Sequence, residues 1–215
     1  MFDVTGALPA GTVSAIEPGS TVLVTGPPMS GKRALAIDLL TAGSAPDGVL
    51  WIETDRGGQR LERVLLGDEA VTPSTPLAIA TCSRSDYTFP IDGRLVERVG
   101  SPSDLTGISI AMAKLRRALV SSDVGSVRYG LHNLSTLVNY LDPETVFKFL
   151  HIFTGRIAST EELGVFTLDE GAHDQRTITT IASEFDGMVE LRDGEEGREL
   201  RVKGFDGAPS QWQSF

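Results

Sequence analysis

Residues 21–33, TVLVTGPPMSGKR, decide the fold of this 215-residue chain. A short valine-rich run is typical of a buried strand, and a pattern with a broad apolar face, typical of a helix, starts at Ala34. Between them, Gly26, Gly31 and Lys32 match the spacing G-x-x-x-x-G-K of phosphate-binding loops. Backbone N–H groups and the positive end of the helix surround the anion in such loops, and the lysine adds a cation. The pattern therefore predicts an anion site between strand and helix.

One position departs from the pattern. The residue after the lysine is normally Ser or Thr, whose hydroxyl binds the Mg²⁺ that accompanies a nucleotide, but here it is Arg33. We expect the whole loop to contact the phosphate. Its residues are Gly26, Pro27, Pro28, Met29, Ser30, Gly31, Lys32 and Arg33. The alternative is a glycine-rich turn that binds no ligand.

Composition places the chain among globular proteins. Apolar residues make up 40% and charged residues 22% of it, and no apolar run approaches the ~20 residues of a membrane span. The first residues lack the basic and apolar regions of a secretory signal, so we expect a cytoplasmic protein without membrane contact. The single cysteine, Cys82, excludes an internal disulfide and a multi-cysteine metal site.

The net charge of −10 arises from 29 acidic and 19 basic residues, and few of the latter are lysine. This balance is typical of proteins adapted to high salt, in which repulsion between carboxylates is screened. An ordinary acidic protein from a GC-rich genome is the alternative. Because no basic patch stands out, nucleic acid is an unfavoured partner.

Short apolar runs alternate with helical patterns along the chain. This alternation predicts an α/β fold with a mostly parallel sheet flanked by helices, within a single domain that spans residues 1–215. Residues 188–192 and 198–203 predict an antiparallel hairpin at the sheet edge, and residues 72–76 and 89–102 predict surface loops. Strands are predicted at 21–25, 48–53, 77–81, 126–131 and 164–168, and helices at 31–42, 57–66, 103–121, 143–159 and 174–185. Ser103 is a candidate cap for the third helix, and Asp142 for the fourth.

Active sites and ligand sites of such sheets lie at the carboxyl ends of the strands. Glu53 and Asp55 follow the second predicted strand and are the candidate catalytic acids, although Asp55 is an equally good helix cap. His132 and Asn133 stand at the end of the fourth strand, where a magnesium-binding aspartate is expected. Residues 169–170, Asp-Glu, form either a polar wall of the site or a solvated loop. Because His132, His151 and His173 are widely spaced, we predict no histidine metal site.

Four segments of the sequence carry a family resemblance. They are residues 18–28, 48–54 and 127–137, and residues 185–191 together with 198–203. Their order resembles the RecA/KaiC-type ATPases, especially the shorter haloarchaeal relatives of the KaiC/GvpD kind. The resemblance implies a RecA-like fold, an ATP or ADP ligand, and nucleotides bound between subunits of a homo-oligomer. It places the acidic pair on Thr54 and Asp55, the Walker B aspartate on His132 and the Walker A hydroxyl on Arg33, so both magnesium ligands are replaced.

These replacements lead to three functional hypotheses. The first is a regulatory module that binds a nucleotide, ATP or ADP, with little or no hydrolysis and acts on a protein partner not identified by the sequence. The second is a pseudo-ATPase scaffold that binds no nucleotide, in which Arg33 pairs with a carboxylate such as Asp55. The third is a working ATPase, which needs Glu53 or Asp55 and residues of a neighbouring subunit to rebuild the magnesium site.

Overall fold

The apolar run that precedes the glycine loop forms a buried strand, β3 (Thr21–Gly26), and the other elements assemble around it. The computed structural model describes residues 1–43, 47–55, 71, 75–82, 94–122, 124–195, 197–205, 208 and 211–215. The other strands are β1 (Phe2–Asp3), β2 (Ala15–Ile16), β4 (Gly48–Glu53), β5 (Leu77–Thr81), β6 (Leu95–Arg98), β7 (Val127–His132), β8 (Leu163–Asp169), β9 (Gly187–Gly194), β10 (Gly197–Lys203) and β11 (Gln213–Ser214). The helices are α1 (Lys32–Thr41), α2 (Leu105–Val120), α3 (Leu134–Tyr140), α4 (Pro143–Ser159) and α5 (Gln175–Ala182), with a 3₁₀ turn at Glu170–Ala172.

The described residues form a nine-stranded sheet in the order β11-β10-β9-β3-β8-β7-β4-β5-β6. All neighbours from β9 to β6 are parallel, whereas β10 and β11 are antiparallel additions at one edge. The short strands β1 and β2 pair separately. This arrangement confirms the predicted α/β fold with a mostly parallel sheet and a C-terminal antiparallel hairpin.

Two apolar cores lie on the two faces of the sheet. Successive side chains of a strand point to opposite faces, so Val22 and Val24 pack with Leu39 of α1, while Leu23 joins the core formed with α2, α4 and α5. A strand covered on both faces has no polar alternation, which explains the continuous apolar run in β3. Each core buries more than twenty apolar side chains, and together they hold the carboxyl ends of the strands in fixed positions.

Several local predictions need correction. The predicted loop 89–102 contains β6, an edge strand whose partly exposed side chains lack the apolar run used to recognise strands. Asp104 rather than Ser103 caps α2, because its carboxylate accepts the Gly107 N–H. The cap predicted at Asp142 is confirmed. The predicted helix 57–66 lies outside the described residues.

The sequence patterns also missed α3, which is separated from β7 by the single residue Asn133, its N-cap. In the part of the chain that the structure describes, no helix has both the length and the apolar composition that crossing a membrane requires.

Candidate functional site

The parallel sheet brings the carboxyl ends of four strands together, and three of these strands end in a polar residue. Gly26 ends β3, and Asp169, His132 and Glu53 end the strands that follow it across the sheet, β8, β7 and β4. Gly26 is paired in register with Asp169, and Glu53 with His132. Since α1 begins directly beyond β3, its first residues face this edge, where ligands of open α/β sheets bind.

The glycine loop (residues 26–33) needs glycine at both ends. A Cβ atom on Gly26 would lie 2.7 Å from the carbonyl oxygen of Leu191 in β9, so any side chain there would displace the hairpin. Gly31 has a left-handed φ of 95° and is the residue from which α1 starts. Met29 at the tip of the loop also has a positive φ, 64°, and is 88% exposed.

Most N–H groups of the loop have no acceptor among the residues that the structure describes. Within the described part of the chain, no hydrogen-bond acceptor meets the backbone N–H of Met29, Gly31, Lys32 or Arg33, whereas Ser30 N–H donates to Pro27 O. The first N–H groups of a helix have no intrahelical partner, which accounts for Lys32 and Arg33. These donors, together with the positive end of α1, form a place where an anion is favoured.

The side chain of Lys32 is fully engaged inside the protein. Only 4% of the residue is exposed, and Nζ donates to Gly26 O at 3.0 Å and to Pro27 O. Nζ also lies 2.8 Å from Oδ1 of Asp169, whose Oδ2 accepts from Asn133 at 3.1 Å. An ammonium group has three N–H donors, so the loop carbonyls and Asp169 satisfy it without a ligand.

The side chain of Arg33 lies against the carboxyl end of β4. Its Nη2 lies 3.2 Å from Oε1 of Glu53 and 4.0 Å from Oδ2 of Asp55. The buried Nε of Arg33 has no hydrogen-bond partner in the region described by the structure. The guanidinium is therefore only partly satisfied, and it adds a second cation directly after Lys32.

Glu53 is a buried carboxylate with few compensating contacts. It is 2% exposed, accepts a hydrogen bond from Trp51 Nε1 at 3.1 Å, and is approached by the Asp55 N–H at 3.3 Å. Burial raises the pKa of Glu53 to about 7, and the charge of Arg33 only partly opposes that rise. The ring of Trp51 is accommodated because Gly130 has no side chain; a Cβ there would lie 2.5 Å from the ring.

The remaining predicted site residues, Asp55, Thr54 and His132, differ in burial and in the contacts they make. Asp55 is half exposed, whereas Thr54 is buried and ties the end of β4 to the backbone of Asn133 through two 2.8 Å hydrogen bonds. His132 is buried, with Nδ1 2.7 Å from Thr167 Oγ1, and stacks on Trp51. Glu53 and Asp55 are thus close together near Arg33, and their predicted catalytic role stays a prediction.

A metal could be considered between Glu53, Asp55 and His132, because one ligand atom of each lies within 4.8 Å of the others. Sequence spacing did not reveal this group, since His132 ends β7 while Glu53 and Asp55 lie at the end of β4 and just after it. The group does not fit the Mg²⁺ that the family resemblance implies: Mg²⁺ prefers oxygen ligands, while His132 offers nitrogen and the Arg33 cation already contacts both carboxylates. The arrangement can hold an anion, but it lacks the usual means of positioning magnesium.

Two contacts of the site were not predicted from the sequence. Asp169 was considered only as a polar wall, yet it is the ion-pair partner of Lys32. Arg198 of β10 was predicted only as part of the hairpin, yet its Nη1 would lie 3.1 Å from a Cβ placed on Gly31. The carboxyl-end rule points to Asp169, but nothing in the sequence pattern points to Arg198.

Comparison with known proteins supports the fold. The chain is similar in structure to a KaiC-like protein from the hyperthermophilic archaeon Pyrococcus horikoshii OT3, with a TM-score of 0.66, over 97% of this chain and 90% of the other. Sequence identity is 12%, so this likeness concerns the RecA-type fold alone. A search of curated proteins finds no match. The model of a family of unknown function, DUF7504, matches residues 19–191, and the chain belongs to that family.

Proposed function

We propose that this chain binds the phosphate tail of a nucleotide, ATP or ADP, at the glycine loop, with little or no hydrolysis. In this proposal nucleotide occupancy regulates contact with a protein partner. One observation carries it: the loop presents N–H groups that have no acceptor among the described residues, beside Lys32 and a partly satisfied Arg33. Backbone donors and guanidinium groups are the usual partners of phosphate oxygens.

The same geometry argues against efficient hydrolysis. Magnesium ordinarily neutralises the charge that develops during phosphoryl transfer, and the residues around Glu53 do not fit that ion. Arg33 supplies a fixed positive charge in its place, which favours the bound ground state without positioning an attacking water. We therefore propose that binding needs no divalent cation.

A second function is favoured by one specific observation. Lys32 is paired with Asp169 and Arg33 with Glu53, so both loop cations already have carboxylate partners. In a scaffold that binds no nucleotide, these pairs would hold the loop permanently and the chain would act only through protein contacts. A bound phosphate has to compete with Asp169 for the ammonium group of Lys32. If phosphate wins this competition the chain binds nucleotide, and if Asp169 wins it the chain is a scaffold.

The test is nucleotide binding measured by thermal unfolding and calorimetry, with Mg²⁺ or with EDTA, in low and in high salt. We expect ADP and ATP to stabilise the wild type equally well in EDTA, by about 2.7 kcal/mol when the nucleotide is at 100 times its dissociation constant. Lys32→Ala should weaken binding by about 10- to 100-fold, the value of a charge-assisted hydrogen bond.

The matched control is Lys148→Ala, which removes an exposed lysine on α4 that forms an ion pair with Glu144. It should bind as the wild type does. Absence of any shift at millimolar nucleotide would favour the scaffold, and Lys32→Ala should then leave the function in cells intact. Phosphate release that needs Mg²⁺ and disappears in Asp55→Asn would instead indicate a working ATPase.

A further inference from the structure

Arg198 lies against the glycine loop from the C-terminal hairpin. The hairpin formed by β9 and β10 packs beside the loop. Leu191 lies against Gly26, and Nη1 of Arg198 would be 3.1 Å from a Cβ on Gly31. A residue other than glycine at position 31 would therefore meet the guanidinium. The hairpin thus forms one wall of the candidate site and places a third cation there.

Arg198 differs from the other cations of the same hairpin. Arg192 lies 2.6 Å from Glu199, Lys203 lies 2.8 Å from Glu190, and Arg201 also pairs with Glu190. By contrast, none of the carboxylates in the described residues lies within ion-pair distance of Arg198, which is solvent-exposed.

The guanidinium of Arg198 lies at the positive end of α1. It is next to Gly31, the residue that precedes α1, and the first N–H groups of a helix give it a positive end. An anion placed between the loop N–H groups and Arg198 would be attracted from both sides.

We infer that Arg198 is a phosphate-binding residue of the glycine loop, contributed by the hairpin of the same chain. This inference rests on the proposed function and extends it to the form of the ligand. The planar guanidinium can donate two parallel hydrogen bonds to one phosphate group. Arg198 has no ion-pair partner among the described residues, although Asp193 is its cross-strand neighbour. Its charge therefore adds to that of Arg33 at the loop, and the ligand is a nucleoside diphosphate or triphosphate free of divalent cation.

The experiment compares ADP and inorganic pyrophosphate binding to four proteins by calorimetry in EDTA. They are the wild type, Arg198→Ala, Arg198→Lys and Arg117→Ala. Arg117 is an exposed arginine of α2, a helix that packs on the sheet face opposite to α1, so its removal changes the net charge equally without touching the site. Urea unfolding of each variant verifies that the fold is kept.

We expect Arg198→Ala to weaken both ligands by about 10- to 100-fold, and Arg117→Ala to change neither. Arg198→Lys should fall between, because an ammonium keeps the charge but loses the paired donors. The affinity of Arg198→Ala should also depend less on salt than that of the wild type.

Three results would overturn the inference in distinguishable ways. Equal affinities of Arg198→Ala and Arg117→Ala, with a wild type that binds, reject the role of Arg198 and leave the proposed function standing. A loss for ADP that pyrophosphate does not share means that Arg198 contacts the nucleoside instead of the phosphate. A wild type that binds neither ligand rejects both the inference and the proposed function.

Discussion

The two ends of the parallel sheet hold their buried charges in different ways. At the amino ends of the parallel strands, Arg128 is 2% exposed and lies 2.7 Å from Asp47. Its guanidinium also donates hydrogen bonds to the carbonyl oxygens of Leu39 and Asp3. At the carboxyl end, Arg33 meets Glu53 at 3.2 Å, but its Nε lacks a partner among the described residues.

The amino end is a closed network. Glu162, also buried, accepts hydrogen bonds from Arg116, Tyr129 and Thr160, and burial together with the Glu162 charge raises the pKa of Tyr129. A cleft of ≈ 490 Å³ opens beside these residues, and the two arginines that line it, Arg116 and Arg128, are paired with Glu162 and Asp47. Satisfied buried charges order the fold, whereas incompletely satisfied ones indicate a place for a ligand.

The substitution with the largest expected effect on stability breaks the network at the amino ends of the strands. Arg128→Met leaves Asp47 without its cation, and we expect the free energy of unfolding to fall by about 3–5 kcal/mol, the usual cost of breaking a buried pair. Urea unfolding near pH 7 measures it.

The matched variant is Arg33→Met at the carboxyl end. Its loss should be smaller, about 1–2 kcal/mol, because Glu53 can take up a proton near pH 7 when its cation is removed. Equal losses in the two variants would contradict the distinction between the two ends.

The second effect concerns the pH dependence of Glu53. Burial raises its pKa from 4.5 to about 7, so between these values the folded protein holds a proton that the unfolded chain has released. Stability contributed by this group is therefore complete below pH 4.5 and is lost as the pH rises through 7. The expected loss over that window is about 3 kcal/mol, and Glu53→Gln should abolish it.

The measurement is the difference in free energy of unfolding between wild type and Glu53→Gln, followed from about pH 4.5 to about pH 8. Taking the difference removes the titration of the other carboxylates. Glu144→Gln, an exposed substitution on α4, is the control variant and is measured over the same pH range. A difference for Glu53→Gln that does not change with pH would mean that Arg33 keeps Glu53 ionised throughout.

A smaller effect on stability than that of Arg128→Met sharpens the comparison within the site. Asp169→Asn removes the charge that faces Lys32 but keeps the side-chain shape, and the ammonium retains its bonds to Gly26 O and Pro27 O. We expect a loss of about 1–2 kcal/mol in stability. If phosphate competes with Asp169 for Lys32, the same variant should bind ADP more tightly than the wild type does. A scaffold that binds no nucleotide would show the loss of stability alone.

Much of the fold could be predicted because its signals are local. Apolar runs and helical periodicity located β3, β4, β5, β7 and β8 with errors of about one residue. β6 escaped because an edge strand is partly exposed and needs no apolar run, and α3 escaped because it is short. Glu53 and Asp55 were recognised as neighbours of the loop because the ends of parallel strands meet at one edge.

The pairing of charges at the site could not be predicted in the same way. The sequence suggested Asp55 as the partner of Arg33, whereas the nearer carboxylate is Glu53 and Asp55 lies at 4.0 Å. The reach of each side chain and the register of β4 on β7 decide this distance, and neither follows from composition.

The sequence by itself determined the strand, loop and helix around Gly26, Gly31 and Lys32, and it determined that a cation follows the lysine. These features depend on residues that are close in the chain, and the spacing of the two glycines and the lysine is enough to predict the local backbone geometry. Only the tertiary structure decided that Asp169 pairs with Lys32 and that Arg198 lies against Gly31. Those contacts join distant segments, and their distances depend on strand order and on the packing of the hairpin beside the loop.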